Sequence, residues 1–320
     1  MAGTLIVSLD FELFWGMLDR CALEEYQDNV LGGRKAIPQL LKLFEKYDIH
    51  ATWATVGFLF AETYQELASF FPQNRPTYAD ERLDPYREFA KLGTNEEEAP
   101  CFYGASLIRQ VAETPGQEIG SHTFCHYYCR EKGQTAAQFA EDMRAARDIG
   151  EKHGYDLTSV ILPRNQCEPE YTEVLRQCGF TAYRDEENDW IHEKIKFRPL
   201  LRILRLADVY LPLTGQGGYV PQCENGIWNL VGSRMYKPIF PALSFMEGLK
   251  LRRIKKQMLH AAKKGLTFHL WWHPHNVGVR TQAHMAQLEE IFSYYAYLKE
   301  TYGMRSLNMR EAAAEAGKRG

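Results

Sequence analysis

The chain has 320 residues, of which 45% are hydrophobic and 13% aromatic, so it can bury a large apolar core. This composition excludes a disordered, fibrous or low-complexity protein. Lys and Arg number 38 against 41 Asp and Glu, a formal net charge of −3, which lacks the cationic excess typical of general nucleic-acid binders. Nucleic acid is therefore not an expected partner.

The first predicted elements are a strand, a helix and a second strand. The apolar run at residues 4–9 is short and rich in β-forming residues, which indicates a buried strand. Apolar residues then recur at helical spacing from Ile37 to Phe44, and residues 51–56 return to a strand-like pattern. Further strands are predicted at residues 117–121, 159–162, 180–183 and 266–272.

The middle of the chain carries clear signals for the ends of one helix. Thr135 and Gln138 form a capping box ahead of Phe139, and Gly154 is a suitable stop. Strands that alternate with helices predict an α/β fold with a parallel sheet, either a barrel or an open doubly wound sheet. We favour a barrel. No glycine-rich nucleotide-binding motif follows the first strand, so neither dinucleotide nor P-loop binding is expected.

Two long irregular segments interrupt this alternation, near residues 72–104 and 209–241, and are expected to be lids or binding loops. Because there is no repeat and no clear linker, we expect a single domain over residues 1–320.

The sequence also carries expectations about location. The N-terminal segment lacks a positively charged start, and Asp10 and Glu12 interrupt its apolar run, so it is not typical of a signal peptide. No stretch approaches the roughly 18 apolar residues of a membrane span. Seven cysteines without a scaffold-like spacing favour reduced thiols. We therefore expect a cytoplasmic protein; peripheral membrane contact and a homo-oligomer stay open.

Polar side chains follow the predicted strands at the ends where parallel α/β proteins place their ligand site. Asp10 and Glu12 are two residues apart, which in extended backbone points both carboxylates to one side. His122 and His126 are four apart, so both imidazoles can face one point from a helical turn. Two histidines and a carboxylate suit zinc or another divalent metal, and a second carboxylate can be a general base.

Further polar residues follow later strands. Arg164 follows the strand at 159–162, and His273 and His275 follow the strand at 266–272. Each feature alone has a plain alternative, such as a surface histidine pair or a helix-capping aspartate. Their coincidence at four separate strand ends favours one site.

These residues resemble the motifs of the polysaccharide deacetylases of carbohydrate esterase family 4, the NodB-homology family. Residues 120–126 read Gly-Ser-His-Thr-Phe-Cys-His and match the family's His-Ser/Thr-x-x-His motif. Residues 8–12 are similar to a spaced variant of its first motif. Weaker resemblances lie at residues 51–57, 163–166, 187–190 and 272–274.

The resemblance implies a distorted, incomplete (β/α) barrel, commonly of seven strands, and a role for each motif residue. The implied metal ligands are Glu12, His122 and His126, with zinc as the leading metal. Asp10 is the implied catalytic base, and Arg164 stands where the family carries an Arg that orients it.

The resemblance also implies a general acid and an acetyl pocket. His273 is the implied acid, and His275 is the alternative for that role or a substrate contact. Trp190, Trp271 and Trp272 are candidate substrate contacts that wall the acetyl pocket or stack on a sugar, and a core position is the alternative for Trp271.

The resulting prediction is a metal-dependent N-deacetylase that hydrolyses an acetamido group on a carbohydrate, such as a glycan precursor in the cytosol. The spaced carboxylates look most like the intracellular branch of the family, which includes metal-free hydrolases of cyclic amides. A metal-independent hydrolase of that kind is one alternative. A catalytically silent carbohydrate-binding protein is another, since Glu12 stands where the family usually has Asp.

Two further features have alternative interpretations. Cys125 and Cys129 alternate with the two histidines in a pattern that could form a structural zinc site. Seven Lys or Arg residues at 250–264 accompany apolar residues at helical spacing, which predicts a basic amphipathic helix. That helix could touch an anionic membrane or a diphosphate-bearing substrate, or present a solvated face.

Overall fold

A parallel β-sheet with helices packed around it forms the centre of the molecule. The computed structural model describes residues 2–89, 92–185, 190–195 and 197–318. The strands are β1 (Thr4–Phe11), β2 (Ala51–Thr55), β3 (Gln117–Ser121), β4 (Ser159–Ile161), β5 (Ala182–Arg184), β6 (Gln222–Glu224), β7 (Ile227–Asn229), β8 (Arg234–Met235), β9 (Thr267–Trp272) and β10 (Arg305–Leu307). The α-helices are α1 (Leu23–Tyr47), α2 (Tyr64–Ser69), α3 (Ala105–Glu113), α4 (Ala136–Lys152), α5 (Pro169–Gln177), α6 (Trp190–Lys194), α7 (Arg198–Tyr210), α8 (Glu247–Lys264), α9 (Thr281–Tyr302) and α10 (Met309–Gly317).

The sheet curls into a ring. Strands β1 to β5 lie side by side in chain order, and β9 pairs with β1, all in parallel. The segment from β7 to β8 spans the gap between β5 and β9. On one side, the backbone amide of Leu230 donates to a carbonyl oxygen of β5, and that of Gly232 donates to the carbonyl oxygen of the residue after β5. On the other side, the backbone amides of Ser233 and Tyr236 donate to carbonyl oxygens of β9. Counting β7 and β8 as one interrupted strand gives seven parallel positions, which confirms the predicted distorted barrel.

The amino-terminal end of the ring is closed by α10. Met309 packs with Ile6 and Ala54 in an apolar cluster inside the ring, and its backbone amide donates to Thr52 Oγ1. Larger apolar side chains cover the outside of the sheet and pack against the helices. The carboxyl ends of the strands are therefore the end at which a cavity can open.

The predicted elements up to residue 185 are confirmed. The three strand predictions at 4–9, 51–56 and 117–121 correspond to β1, β2 and β3. The capping box of Thr135 and Gln138 begins α4, and Gly154 follows its end with a φ of 82°. These signals are local, which is why the sequence alone carries them.

The segment near 209–241 is less irregular than expected, because it contains β6, β7 and β8. Strands β6 and β7 pair antiparallel through the two-residue turn Asn225–Gly226, with φ values of 53° and 85°. Asn-Gly is the most typical sequence for such a turn, so the signal was present in the sequence. The segment near 72–104 contains no α-helix or β-strand within its described residues.

Candidate active site

A cavity at the carboxyl ends of the strands brings together residues that are far apart in sequence. It has a volume of about 690 Å³. Its lining includes Asp10 and Glu12 at the end of β1, His126 from the loop after β3, and His273 and His275 after β9. The sequence singles out all five positions, and the structure places them around this one cavity.

Glu12, His122 and His126 form a compact group of potential metal ligands. The Nε2 atoms of His126 and His122 lie 3.0 and 3.3 Å from Glu12 Oε2. Ligand atoms of the three buried residues all lie within 4.8 Å of one another. His122 Nδ1 has no hydrogen-bond partner among the described residues, a costly arrangement for a buried polar atom. Two imidazoles and a carboxylate in this geometry fit a divalent transition metal.

The protonation states of this group also suit a metal. Burial raises the pKa of Glu12, but His273, His122 and His126 outweigh burial and hold that pKa well below its ordinary value of 4.5. Burial lowers the pKa of His126 against the opposing effect of Glu12. An ionised carboxylate and a neutral imidazole are the forms that bind metal.

The two histidines converge from an irregular loop, not from the helical turn that their spacing suggests. Residues 122–129 contain no helix, and Thr123 and His126 have φ values of 65° and 60°. The buried Asp142 carboxylate holds this loop by accepting hydrogen bonds from the backbone amides of Phe124 and Cys125, at 2.8 and 3.1 Å. A distant carboxylate therefore sets the loop conformation, which spacing alone does not reveal.

Gly16 makes room for the longer side chain at position 12. It lies in the short 3₁₀ turn Trp15–Met17, and a Cβ atom built there would overlap the Glu12 carboxylate. Glu12 thus reaches the histidines through space that any other residue at position 16 would fill. This pairing gives a physical account of Glu in place of the shorter Asp.

Asp10 is bound by Arg184, a residue that the sequence interpretation missed. The Arg184 guanidinium donates to both Asp10 carboxylate oxygens at 2.8 Å and to Ser8 Oγ at 2.9 Å. It also donates to Asn165 Oδ1 and stacks 4.1 Å from the centre of the Trp271 ring. Arg184 follows the predicted strand at 180–183, so the strand-end signal that marks the other site residues applies to it too.

This contact keeps Asp10 ionised. Burial raises the pKa of Asp10, but Arg184 and the neighbouring His273 and His122 outweigh burial, so the pKa falls below its ordinary value of 3.8. Behind it, His269 Nε2 lies 2.7 Å from Ser8 Oγ, and burial lowers the pKa of His269 to about 3. Asp10 is therefore a fixed, charged acceptor at the cavity wall.

Arg164, which was expected to orient Asp10, binds other residues. Its guanidinium forms ion pairs with Asp19 and Glu131 and lies 4.2 Å from the centre of the Tyr128 ring. Arg164 lines the cavity but has no hydrogen bond or ion pair to Asp10 in the described structure. It belongs to a three-residue turn after β4 and has a left-handed φ of 58°. That backbone conformation directs the Arg164 side chain away from Asp10, and Arg184 on the neighbouring strand β5 binds Asp10 instead.

His273 lies between the two carboxylates. Its Nε2 is 3.6 Å from both Asp10 Oδ2 and Glu12 Oε1, and its Nδ1 is 3.2 Å from Asn276 Oδ1. The ring of His275 stacks on it at 5.0 Å, with Nε2 3.9 Å from Glu12 Oε1. Burial, together with His273, lowers the pKa of His275 to about 4. His273 is the more exposed of the two histidines to the cavity.

The expected aromatic contacts are placed differently. Trp272 is fully buried in the core and packs edge-on against Phe44 and Tyr236, so it does not reach the cavity. Side chains alternate along a strand, and Trp271 faces the cavity instead. Trp190 lies on the outer surface and donates to the Leu213 carbonyl. Of the motif at residues 187–190, only Trp190 lies within the described residues.

Cys125 and Cys129 do not join the histidines as ligands. Both are buried free thiols, and burial raises both pKa values well above the ordinary 9.0. Protonated, core-packed thiols do not form a structural zinc site.

The fold and this cavity are those of an α/β barrel with buried polar residues at its strand ends. The family model described as polysaccharide deacetylase matches residues 26–183. This stretch includes His122 and His126. It does not include Asp10, Glu12 or His273. By this match, the chain belongs to the polysaccharide deacetylase family.

Solved structures support the fold. A protein assigned as a polysaccharide deacetylase from Mycobacterium smegmatis shares 13% identity, with a TM-score of 0.63 over 100% of this chain and 92% of the other. A second protein assigned as a polysaccharide deacetylase, from Pseudomonas aeruginosa PAO1, shares 14% identity. Its TM-score is 0.57 over 99% of this chain and 92% of the other. Puue allantoinase shares 13% sequence identity, with a TM-score of 0.54 over 97% of this chain and 88% of the other. No curated protein sequence matches this chain.

Proposed function

We propose that this protein is a metal-dependent N-deacetylase that hydrolyses an acetamido group on a carbohydrate. The observation that carries the proposal is the buried Glu12, His122 and His126 group with Asp10 and His273 beside it. Family membership supports hydrolysis of an acetylated sugar.

The proposed ligands of the metal are Glu12 Oε2 and the Nε2 atoms of His122 and His126. A bound divalent cation, with zinc as the leading candidate for two imidazoles and one carboxylate, would supply Lewis acidity and lower the pKa of water to about 7. Three protein ligands leave further coordination positions open, as catalytic sites require.

Asp10 is the proposed general base. Its carboxylate stays ionised because Arg184 holds both oxygens, and it can accept the proton of an attacking water at Oδ2, the oxygen nearer His273. Arg184 is fully buried, so it orients Asp10 without contacting the substrate.

His273 is the proposed general acid for the departing amine. Asn276 contacts its Nδ1, which leaves Nε2 facing the cavity between the two carboxylates. An imidazole placed there can donate a proton to the departing amine. The acid role of His275 is disfavoured, because burial and a pKa of about 4 keep it neutral near pH 7.

The proposed location is the cytosol, where a glycan precursor would be the substrate. All seven cysteines are free thiols, which supports a reducing compartment.

The test measures metal content and acetate release together. The purified protein should contain about one equivalent of divalent metal, and His122→Ala should lose both the metal and acetate release from an N-acetylated sugar. His153→Ala removes a half-buried histidine that pairs with Glu66 away from the cavity, and should retain both.

Three results would contradict the proposal. Activity that survives exhaustive chelation would favour a metal-independent cyclic-amide hydrolase. Full acetate release by His122→Ala would remove the metal role. Sugar binding without acetate release from any acetylated glycan would indicate a silent binding protein.

A further inference from the structure

Residues 190–264 differ sharply in charge from the rest of the chain. They contain 14 Lys and Arg against four Asp and Glu, a formal charge of +10, whereas the whole chain carries −3. The rest of the sequence therefore carries −13. A modest net charge conceals a strongly cationic segment, which favours an anionic partner.

The same segment exposes most of the large apolar side chains at the surface. Of the twelve that are exposed in the described chain, ten lie between residues 190 and 249. Phe245 is 81% exposed, Phe197 67%, Val220 66% and Ile203 64%. Scattered exposed apolar residues are ordinary, but a concentration of this kind marks an interaction surface.

Helix α7 is anchored to the protein by its last turn. Asp208 forms ion pairs with Arg234 and with Arg253 of α8, and the Tyr210 hydroxyl donates to Glu247 at 3.3 Å. Asp208, Val209 and Tyr210 are buried, whereas the preceding turns from Pro199 to Leu206 are largely exposed. The helix is thus fixed in position with most of its length unpacked.

The exposed turns of α7 alternate apolar and cationic side chains. Leu200, Ile203 and Leu206 are exposed beside Arg202 and Arg205. This combination is typical of a helix that lies in the plane of an anionic membrane surface, with apolar groups inserted and cations at the headgroups.

The basic helix predicted at 250–264 forms as part of α8 but is less available. Lys250 and Arg253 are buried and pair with Glu247 and Asp208. Part of its charge therefore stabilises packing, and α7 is the better exposed amphipathic helix. No helix in the described part of the chain is both long and apolar enough to cross a membrane.

We propose that the α7 surface, formed by residues 190–195, 197–211 and 240–249, docks peripherally onto an anionic lipid bilayer. Both components of interfacial binding are present on it, namely exposed apolar area and the exposed cations Lys194, Arg202 and Arg205. A second copy of this chain is a poorer occupant. A two-fold dimer through this surface would bring two cationic faces together, and like charges across an interface are unfavourable.

Docking in this way would bring the cavity mouth to the membrane. Arg202, Leu206 and Phe240 are exposed on the α7 surface and also line the cavity. The docking does not depend on deacetylation, so the two proposals can fail separately.

Co-sedimentation with vesicles tests the docking. The full-length protein should pellet with phosphatidylcholine vesicles that contain phosphatidylglycerol and remain free with phosphatidylcholine alone. Binding should weaken as salt rises from about 0.1 M to 1 M, because the Debye length falls from ~10 to ~3 Å. Absence of binding to the anionic vesicles would overturn the proposal.

Variants separate this surface from general charge attraction. The combination of Phe197→Ser, Ile203→Ser and Phe245→Ser should reduce the vesicle partition coefficient at least roughly tenfold, as expected for the loss of three inserted apolar side chains. Tyr297→Ser removes an exposed aromatic on α9 outside this surface and should leave partition unchanged. Equal loss in both variants would overturn the assignment, as would a dimer in solution that the triple variant dissociates.

Discussion

The two sides of the cavity differ in how their residues are held. On the β1 and β3 side, Glu12, His122 and Asp10 are buried and contacted by further buried groups. On the α7 side, Arg202 and Leu206 line the same cavity from a helix that is mostly exposed. The proposed chemistry, which needs fixed distances, thus lies on strand ends, and the proposed membrane contact lies on the segment inserted between β5 and β9.

This contrast has a physical reason. Buried charges persist only when geometry and partners compensate for lost hydration, so each residue of the first side depends on the next. Exposed side chains on α7 stay hydrated and do not need this compensation. Substitutions on the first side should therefore be far more damaging than those on the second, and three variants on the first side measure how strongly its residues depend on one another.

The largest effect is expected for Arg184→Ala. It leaves Asp10 as a buried carboxylate without its cation, which should lower the free energy of unfolding by about 3–5 kcal/mol in chemical denaturation. Arg164→Ala removes a partly exposed arginine from ion pairs with Asp19 and Glu131 and should cost about 1 kcal/mol or less. Similar losses in the two variants would break the distinction between the strand-end arginines.

The pH profile gives a second measurement on Arg184. In the wild type the pKa of Asp10 lies below 3.8, so the stability from its charge is present above that pH and is lost as pH falls through the lowered pKa. Without Arg184, burial remains and raises that pKa. The acid limb of acetate release should then move to higher pH, and an unmoved limb would argue against Asp10 as the base.

An intermediate effect is expected for Asp142→Ala. The backbone amides of Phe124 and Cys125 lose their buried acceptors, at a cost of about 2–4 kcal/mol in the free energy of unfolding. The loop that carries His122 and His126 should relax, and metal affinity should fall with it. Calorimetric metal titration at a temperature where the variant stays folded would show this. Unchanged affinity would mean that the loop holds its shape without Asp142.

The smallest effect on stability, with a selective effect on metal, is expected for Gly16→Ala. The added methyl group displaces Glu12, so metal affinity should fall roughly 10–100-fold, comparable to loss of a supporting contact. Gly248→Ala adds a methyl group at the start of α8 with no atom within 4 Å and should leave metal binding unchanged. Normal affinity in Gly16→Ala would show that Glu12 is not a ligand in its present position.

Much of the site could be predicted because the ends of strands can be recognised in the sequence. Asp10, Glu12, His122 and His273 each follow a short apolar run, and parallel strands bring such positions to one edge. The family resemblance, however, implied that Arg164 orients Asp10 and gave no role to Arg184, although both follow predicted strands. Which of two strand-end arginines contacts Asp10 depends on backbone conformation, here a left-handed φ of 58° at Arg164.

Other features had no usable signal. His269 lies inside β9, and its contact with Ser8 depends on the register between β1 and β9. The role of Asp142 depends on the packing of α4 against a loop 17 residues earlier. Of the candidates Trp271 and Trp272, only Trp271 lines the cavity, because adjacent residues of a strand point to opposite faces.

The sequence by itself determined the alternation of strands and helices, the capping of α4, and the residue types at the strand ends, because these depend on neighbours along the chain. The tertiary structure alone decided that Arg184 binds Asp10, that Gly16 admits Glu12, and that α7 remains exposed. Those outcomes depend on distances between segments far apart in sequence, and spacing along one chain does not encode them.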